Sequence, residues 1–176
     1  YVGFVASLLQ HISDQSGLRF EFVKTASQLE AKQLLEQGAV DMISGYDAGT
    51  KLLDTAGCSD IYLQASLLVV GKKSFQYSGG QVKIAITERT QYLNDELLKI
   101  YPGAEILLCH NTQDLFQAVE TGKADMLVRN IYSIQSELAG EYADLAIIYD
   151  TNKLAEYRFA FSDGTNPQLI SLINRY

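Results

Sequence analysis

A twelve-residue segment that occurs twice constrains the fold of this 176-residue chain more than any other feature. Residues 33–44 read QLLEQGAVDMIS, and 84 positions later residues 117–128 read QAVETGKADMLV, with Gln, Glu, Gly, Asp and Met at matching places. Each copy has an amphipathic helix that ends at a glycine, Gly38 or Gly122, the usual residue for a left-handed helix end. An aspartate and a short apolar run follow, which indicates a buried strand.

A helix that leads into a short, continuously apolar strand is typical of a parallel sheet with helices on its faces. Two such units predict two similar α/β lobes. The alternative is that any two helix-glycine-strand turns of one α/β domain look alike without an internal duplication. One continuous sheet through both copies would contradict the two-lobe interpretation.

Composition favours a folded, acidic protein. Hydrophobic residues make up 47% of the chain, charged residues 20%, and the mean hydropathy is -0.01, which argues against disorder. The net charge of -7 disfavours nucleic acid and anionic membrane surfaces as partners. No apolar run reaches the roughly 18 residues of a membrane-spanning helix. Because residue 1 already lies in a predicted helix, the chain is expected to be an excised piece of a longer protein.

The cysteines and histidines show no metal-binding spacing. Cys58 and Cys109 are expected to be buried free thiols, although the sequence leaves a disulfide open. His11 and His110 lie far apart and belong to no zinc motif. No metal or cofactor is therefore predicted.

The apolar periodicity and the turn residues give the order of the other elements. Ser27 with Glu30 predicts a capping box for the first repeat helix, Thr112 is the predicted cap of the second, and Asn166 with Pro167 opens the last helix. The other predicted helices are residues 2–16, 91–101 and 131–139, and the predicted strands are 18–23, 40–44, 63–71, 82–86, 104–109, 124–128, 145–149 and 157–161.

Two predicted crossings divide the chain into lobes. Residues 63–71 and residues 150–152 would each pass from one lobe to the other, so lobe one comprises 1–66 and 150–176 and lobe two comprises 67–149. Two crossings make a hinge with a cleft between the lobes, where ligands of α/β folds bind at the carboxyl ends of strands.

Several motifs follow one another in an order known from one family. The family pattern begins with a helix ending in T-G and a strand, here QSGLRFEFV, and continues with a helix ending in L-x-x-G-x-x-D, here LLEQGAVDMISG. Its next motifs are usually T-x-T-x-E-R and F-S-x-P-Y, and their places are taken here by GYDAGTKLL and CSDIY. KIAITERT matches a strand followed by G-T, GKADM matches G-K-x-D-A, and FAFSDGTNPQLISLINRY matches the closing strand and helix. Together they resemble the bacterial extracytoplasmic solute-binding proteins of family 3, which have a periplasmic-binding-protein-like, Venus-flytrap fold.

The resemblance implies an α/β, two-lobed periplasmic-binding-protein type II-like fold with a hinge and an inter-lobe cleft. Members begin with a strand and a loop before the first helix, so the N-terminal strand is expected to be missing here. Members that bind α-amino acids hold the carboxylate with an Arg and the ammonium group with an Asp, and these places are Leu52 and Asn130. The loss of both charged anchors, at about 1.5–3 kcal/mol each, argues against a simple amino acid as ligand.

The sign of charge is reversed at the matching places. Lobe one carries Asp47 where members usually have Ser or Thr, and lobe two carries Arg89 where they usually have Gly. We hypothesise that Arg89 and Thr90 bind the anionic end of a ligand, helped by the N–H groups of a helix that begins near Gln91, and that Asp47 binds a cationic or hydroxyl end. The alternative is that Asp47 and Arg89 are solvated loop charges.

The aromatic residues near the expected site also leave two interpretations. Tyr46 and Tyr62 would form walls for flat or apolar ligand parts, or they are half-buried core residues. The complete set of candidate ligand-binding residues is Tyr46, Asp47, Thr50, Leu52, Tyr62, Arg89, Thr90, Asn130 and Asp150. The repeat aspartates, Asp41 and Asp125, are expected to be structural, since a short acid at a helix-to-strand junction hydrogen-bonds nearby N–H groups.

The predicted function is that of a ligand-binding sensor domain of a bacterial membrane signalling protein, such as a histidine kinase or diguanylate cyclase. The domain would be extracytoplasmic, and only a flanking anchor outside this chain would contact the membrane. In the full-length receptor it could pair with a second copy of itself. Alternatives are a free solute-binding component of an ABC transporter, an interaction module with an empty cleft, and an enzyme of the cyclohexadienyl dehydratase type. The enzyme would use Asp47, Glu88 or Asp150 as acid or base.

Overall fold

A computed structural model describes residues 3–47 and 57–176 of the chain. The described helices are α1 Phe4–Ser16, α2 Gln28–Glu36, α3 Asn94–Ile100, α4 Thr112–Glu120, α5 Ile131–Leu138 and α6 Pro167–Ile173, with a 3-10 helix at Glu88–Leu93. The strands are β1 Met42–Asp47, β2 Gly57–Cys58, β3 Leu63–Lys72, β4 Lys83–Thr87, β5 Glu105–Cys109, β6 Met126–Asn130 and β7 Leu145–Phe161. Within the described part, no helix combines the length and the apolar character that crossing a bilayer requires.

The chain divides into two compact units. Unit 1 comprises Tyr1–Leu63 with Tyr157–Tyr176, and unit 2 comprises Gln64–Glu156. The lobe bounds predicted from the sequence lie a few residues away from these changeovers.

The path of hydrogen-bonded strands does not break between the units. Its order is β1-β7-β3-β6-β4-β5, with β2 also on β7. It passes through the strands of both repeat copies because the 17-residue strand β7 begins in unit 2 and ends in unit 1. A continuous sheet through both repeat copies was named above as evidence against two lobes, and this strand path is such a sheet. The contacts within the chain nevertheless divide it into two compact units. The lobe bounds therefore stay a prediction.

Unit 2 contains the predicted parallel strands. Strand β4 pairs in parallel with both β5 and β6, and β6 pairs antiparallel with β3. Ile84, Ala85 and Ile86 of β4 are all buried, as expected for a strand covered on both faces. Helix α4 contributes the completely buried Phe116 to the core, and the Phe116 ring centroid lies 5.0 Å from that of Tyr142.

Unit 1 is built differently, because its described strand pairs are antiparallel. Strands β1 and β2 both pair with the end of β7, and the register of β1 shifts between Ile43 and Tyr46, where Gly45 has a φ of 70°. The predicted parallel pairing is therefore wrong for β1 within the described residues. The buried core of this unit joins α1, β7 and α6 through Leu9, Ile12, Phe159, Phe161 and Ile173.

The repeat is confirmed at the level of single hydrogen bonds. Helices α2 and α4 begin and end 84 positions apart. Ser27 Oγ accepts the Glu30 N–H at 3.1 Å, and at the matching place Asn111 Oδ1 accepts the Asp114 N–H at 2.9 Å. The predicted cap Thr112 is wrong, since it is the first residue of the helix.

The two repeat helices also end alike. The N–H groups of Gly38 and Gly122 donate to carbonyls three residues earlier, at 3.0 and 3.2 Å. Both glycines have the left-handed conformation that their position predicted, with φ of 67° and 76°. The sequence match thus reflects one local structure that is built twice.

The predicted strand at residues 18–23 is wrong, because this segment forms no strand. Its alternation holds only in part: Leu18 and Phe20 pack on the core of unit 1 while Arg19 and Glu21 are exposed, but Phe22 is exposed as well. Its counterpart in unit 2, β5, is held by β4. No strand within the described residues pairs with residues 18–23.

The two strands predicted at residues 145–149 and 157–161 are one strand, because β7 continues through residues 150–152. The crossing predicted at 150–152 lies within this strand and stays a prediction. Asn152 has a φ of 55°, and its N–H donates to Asp150 Oδ1 at 2.8 Å. The Thr151 hydroxyl donates to the carbonyl of Leu67 in β3 at 2.6 Å. The turn-forming residues thus make a local irregularity, while the side chain of Thr151 keeps the strand attached to its neighbour.

Replacement of the two repeat aspartates should have unequal effects. Asp125 Oδ2 accepts the Lys83 N–H at 2.7 Å and so joins the start of β6 to β4. The hydrogen bond that the structure gives for Asp41 uses its carbonyl, which accepts the Ser162 N–H at 3.0 Å. We expect Asp125→Ala to lower the free energy of unfolding by about 1–2 kcal/mol, the lower part of the range for charged hydrogen bonds because the site is half-exposed.

Urea denaturation measures this difference, with Asp125→Asn as the control that keeps an acceptor oxygen. Asp41→Ala should stay within about 0.5 kcal/mol of the parent. Equal losses in both alanine variants would contradict the assignment. So would a loss of ligand affinity in Asp125→Ala at an unchanged melting temperature.

Candidate ligand-binding residues

The carboxyl ends of the parallel strands of unit 2 lie at one edge of the sheet. Thr87 ends β4 and is the register partner of Cys109 at the end of β5, and Asn130 ends β6. Edges of this kind are where α/β folds bind ligands. Sequence reasoning placed Arg89, Thr90 and Asn130 here, and all three follow or end a strand of this edge.

Arg89 and Thr90 lie inside the 3-10 helix Glu88–Leu93 and not in the loop that the sequence predicted. The 3-10 helix runs directly into α3, so the helical segment begins earlier than Gln91. Thr90 is buried, and its Oγ1 lies 3.2 Å from both the N–H and the carbonyl oxygen of Thr87. Its hydroxyl thus fixes the start of the helix, while Arg89 on the same turn is half-buried.

Asn130 has a structural task in the described chain. It is the N-cap of α5, and its Oδ1 accepts the Ser133 N–H at 2.9 Å. Such a cap contributes about 1 kcal/mol to helix stability. This explains an asparagine at the end of β6 without a ligand, so its predicted ligand contact stays a prediction.

Asp47 is the last residue of β1 and only 5% exposed. The alternative that it is a solvated loop charge is therefore wrong. Its register partner is Tyr157 of β7, and the preceding Tyr46, also buried, is opposite Arg158. A buried carboxylate is costly unless it is paired, so its position at the end of a strand is the most unusual electrostatic feature of unit 1.

Tyr62 is tied into unit 1 by both ends of its side chain. Its hydroxyl oxygen accepts the Gly45 N–H at 2.7 Å, and its ring centroid lies 4.5 Å from that of Phe159. These contacts favour the core interpretation of Tyr62 over that of a ligand wall. They also place it next to the strand that carries Tyr46 and Asp47.

The remaining candidates divide into exposed residues and residues that the structure does not describe. Asp150 is exposed and accepts the Asn152 N–H, and Glu88 is exposed on the 3-10 helix. Neither has the burial that is typical of a catalytic carboxylic acid. The candidates Thr50 and Leu52 lie outside the described residues.

Arg158 is a half-buried cation that sequence reasoning missed. Its Nη1 donates to the carbonyl of Ser59 at 3.0 Å. The signal was available, since Arg158 is the only charged residue in the otherwise apolar and aromatic stretch YRFAF at residues 157–161. What sequence could not show is the antiparallel register that places it opposite Tyr46.

Both cysteines are free, as predicted. Burial raises the pKa of the Cys58 thiol, and the guanidinium of Arg158 offsets only part of this effect. Burial also raises the pKa of Cys109. Both groups therefore stay protonated at neutral pH, which argues against a nucleophilic role for either.

No protein-family model matches the chain, and no curated protein matches its sequence. Solved structures do match its fold. The substrate binding protein of an amino acid ABC transporter aligns with a TM-score of 0.79 and 23% identity over 99% of this chain and 79% of that chain. A double mutant of the VFT2 domain of Bordetella pertussis BvgS aligns with a TM-score of 0.81 and 22% identity, over 97% of this chain and 75% of that chain.

A mutant of arginine-bound ArgBP from T. maritima gives a TM-score of 0.77 and 20% identity over 99% of this chain and 83% of that chain. Such similarity defines the class of protein by its fold. The chain has the two-lobed, periplasmic-binding-protein-like Venus-flytrap fold, as the sequence motifs predicted. The predicted inter-lobe cleft and its residues stay a prediction.

Proposed function

We propose that this chain is an extracytoplasmic domain that binds a small molecule, as the sensor part of a bacterial membrane signalling protein. The observation that carries the proposal is the placement of buried polar side chains. Among the described residues, five polar or charged ones are buried, and three of these stand at or just after the carboxyl ends of strands, namely Asp47, Thr87 and Thr90. Polar groups that are buried at strand ends are typical of ligand sites in α/β folds.

The charges define the proposed ligand class. Arg89 would bind an anionic group and Asp47 a cationic or hydroxyl group, which is the reverse of the polarity in amino-acid binders of the family. Because the Thr90 hydroxyl already bonds to the backbone of Thr87, Arg89 would carry most of the affinity for the anion. The proposed ligands are small carboxylates or phosphates that bear a hydroxyl or amino group.

The sensor role is supported by the match to a BvgS domain, and the match to an ABC-transporter protein supports the alternative. The sequence of the complete gene distinguishes them. A membrane-spanning helix and a signalling domain after Tyr176 would support the sensor, and a stop codon with a lipoprotein or secretion signal upstream would support the transporter component. Membrane attachment through a flanking anchor and a homodimeric receptor belong to the sensor proposal.

We propose no catalytic activity. The three solved structures described above are named as a substrate binding protein, a VFT2 domain and an arginine-bound ArgBP, and none of these names states an enzyme activity. Two of the three carboxylates that an enzyme could use, Glu88 and Asp150, are exposed. A hydroxy acid that is dehydrated by the purified chain, with loss of the reaction in an Asp47→Asn variant, would contradict this part of the proposal.

A ligand screen tests the binding function directly. We expect at least one small carboxylate or phosphate to raise the melting temperature, because a ligand at 100 times its dissociation constant stabilises the folded state by about 2.7 kcal/mol. The panel should pair each anion with its neutral amide or alcohol as a control. If no member of a broad panel shifts the melting temperature, the interaction-module alternative is favoured.

A further inference from the structure

The segment Gly57–Tyr62, named here the linking segment, occupies a special position in unit 1. It directly follows residues 48–56, which contain the candidates Thr50 and Leu52, and it ends at the candidate Tyr62. It contains the short strand β2, and the rest has no regular structure. Nevertheless it is attached to three different elements of the unit.

The first attachment is to β7. The N–H of Ser59 donates to the carbonyl of Phe159 at 2.9 Å, and the Phe159 N–H donates back to Ser59 Oγ at 2.9 Å. The Tyr62 N–H donates to the carbonyl of Tyr157 at 3.0 Å, and Arg158 Nη1 donates to the carbonyl of Ser59. Four hydrogen bonds within six residues fix the segment as firmly as a regular strand.

The second attachment is to β1, through the side chain of Tyr62. Its hydroxyl oxygen accepts the N–H of Gly45, the residue of left-handed conformation at the irregular point of the strand. Gly45 stands immediately before Tyr46 and Asp47. The linking segment is therefore bonded to the end of β1 that carries two of the candidate ligand-binding residues.

The third attachment is to α6. A Cβ atom at Gly57 would lie 2.9 Å from Ile170 Cδ1, so the backbone of the segment packs directly against the Ile170 side chain in the middle of the helix. At the C-terminal end of α6, Oδ1 of the C-cap Asn174 accepts the Asp60 N–H at 2.9 Å. The segment makes both contacts with its backbone, so rotation of its own side chains cannot absorb a displacement, and the helix answers with the side chains of Ile170 and Asn174.

We propose that the linking segment couples the end of β1 to helix α6. A change at Gly45–Asp47 then alters the packing of α6, and a change in the packing of α6 alters the hydrogen bonding of Gly45–Asp47. The purpose of the coupling rests on the proposed function, since a sensor has to pass a signal out of its ligand-binding domain. The coupling itself is a property of unit 1. It can therefore be measured on the ligand-free chain.

The test uses a pair of variants and amide hydrogen exchange measured by NMR. Gly57→Ala pushes a methyl group against Ile170, and Gly57→Ala with Ile170→Val removes the Cδ1 atom that it meets. We expect the Gly45 amide to exchange up to about tenfold faster in Gly57→Ala, the equivalent of one weakened hydrogen bond, and to return toward the parent rate in the double variant. The amides of α1 should keep their rates.

Asn174→Ala tests the second contact and remains informative if Gly57→Ala does not fold. It should also speed exchange at Gly45, although Asn174 touches neither Gly45 nor Tyr62 in the bonds described. An unchanged Gly45 rate in Asn174→Ala and in Gly57→Ala would overturn the coupling, and so would an equal acceleration of all unit 1 amides. Neither result depends on whether a ligand is found, so failure of the coupling is distinct from failure of the proposed function.

Discussion

Phe116→Ala is expected to destabilise unit 2 by about 3–5 kcal/mol, the usual cost of removing a buried phenylalanine side chain. Phe116 of α4 is 0% exposed, belongs to the buried core of unit 2 and has its ring centroid 5.0 Å from that of Tyr142, so its removal leaves a cavity in a packed core. If the two units are separate lobes, the amides of β4 and β6 should lose hydrogen-exchange protection, while those of α1 and α6 keep theirs. The same experiment therefore tests the predicted division into lobes.

Phe159→Ala is the matched variant in unit 1. Phe159 is 1% exposed and packs against Tyr62 and the helices α1 and α6. We expect the pattern of lost protection to be the reverse of that in Phe116→Ala. If either variant removes protection equally from both units, the chain unfolds as one domain, and the continuous strand path through β7 would then be the better description of the molecule.

The sequence predicted well what depends on residues close together in the chain. The repeat helices, their glycine ends and the cap of the first repeat helix follow from apolar spacing and from side chains that bond to N–H groups within one turn, as Ser27 does with Glu30. The final helix with Asn166 and Pro167 was predicted for the same reason and is confirmed. These features are local, so they need no knowledge of the tertiary structure.

What failed depends on partners far away in the chain. Residues 18–23 have the alternation of a strand, but alternation shows which side chains face a core and not whether a neighbouring strand exists to bond with. Residues 145–149 and 157–161 were predicted as separate strands, yet the bond from Thr151 to Leu67, 84 positions away, lies within one continuous strand β7. Neither outcome could be read from local spacing.

The candidate residues show the same limit. The sequence identified Asp47 as unusual but placed it in a loop, whereas pairing with β7 makes it a buried strand residue. Arg158 was missed because its position opposite Tyr46 depends on the register of two strands more than 100 positions apart in the chain. The caps and turns formed by Asn130 and Asp150 show that a polar residue at a strand end often bonds to its own backbone.

Arg89→Ala is expected to weaken the binding of an anionic ligand by about 10- to 150-fold, the equivalent of 1.5–3 kcal/mol for a charge-assisted hydrogen bond. Arg89 stands in the first turn of the 3-10 helix, directly after β4, and it is the only cation of the stretch TERTQYL at residues 87–93. Titration calorimetry with the first anion found in the ligand screen gives the affinity. Arg89→Lys should recover part of it, because lysine keeps the charge but lacks the second donor of the guanidinium.

Gln91→Ala is the control for disturbance of the helix, since Gln91 is neutral, exposed and on the same 3-10 helix. Its affinity for the anion should match that of the parent, and its melting temperature shows what a change in this helix costs by itself. The Asp47→Asn variant should instead weaken ligands with an amino group more than ligands with a hydroxyl group, because only the cation loses a charged partner. If the anion binds Arg89→Ala as tightly as the parent, the reversed polarity is wrong, and the ligand is then held by neutral groups such as the backbone N–H donors of the strand ends.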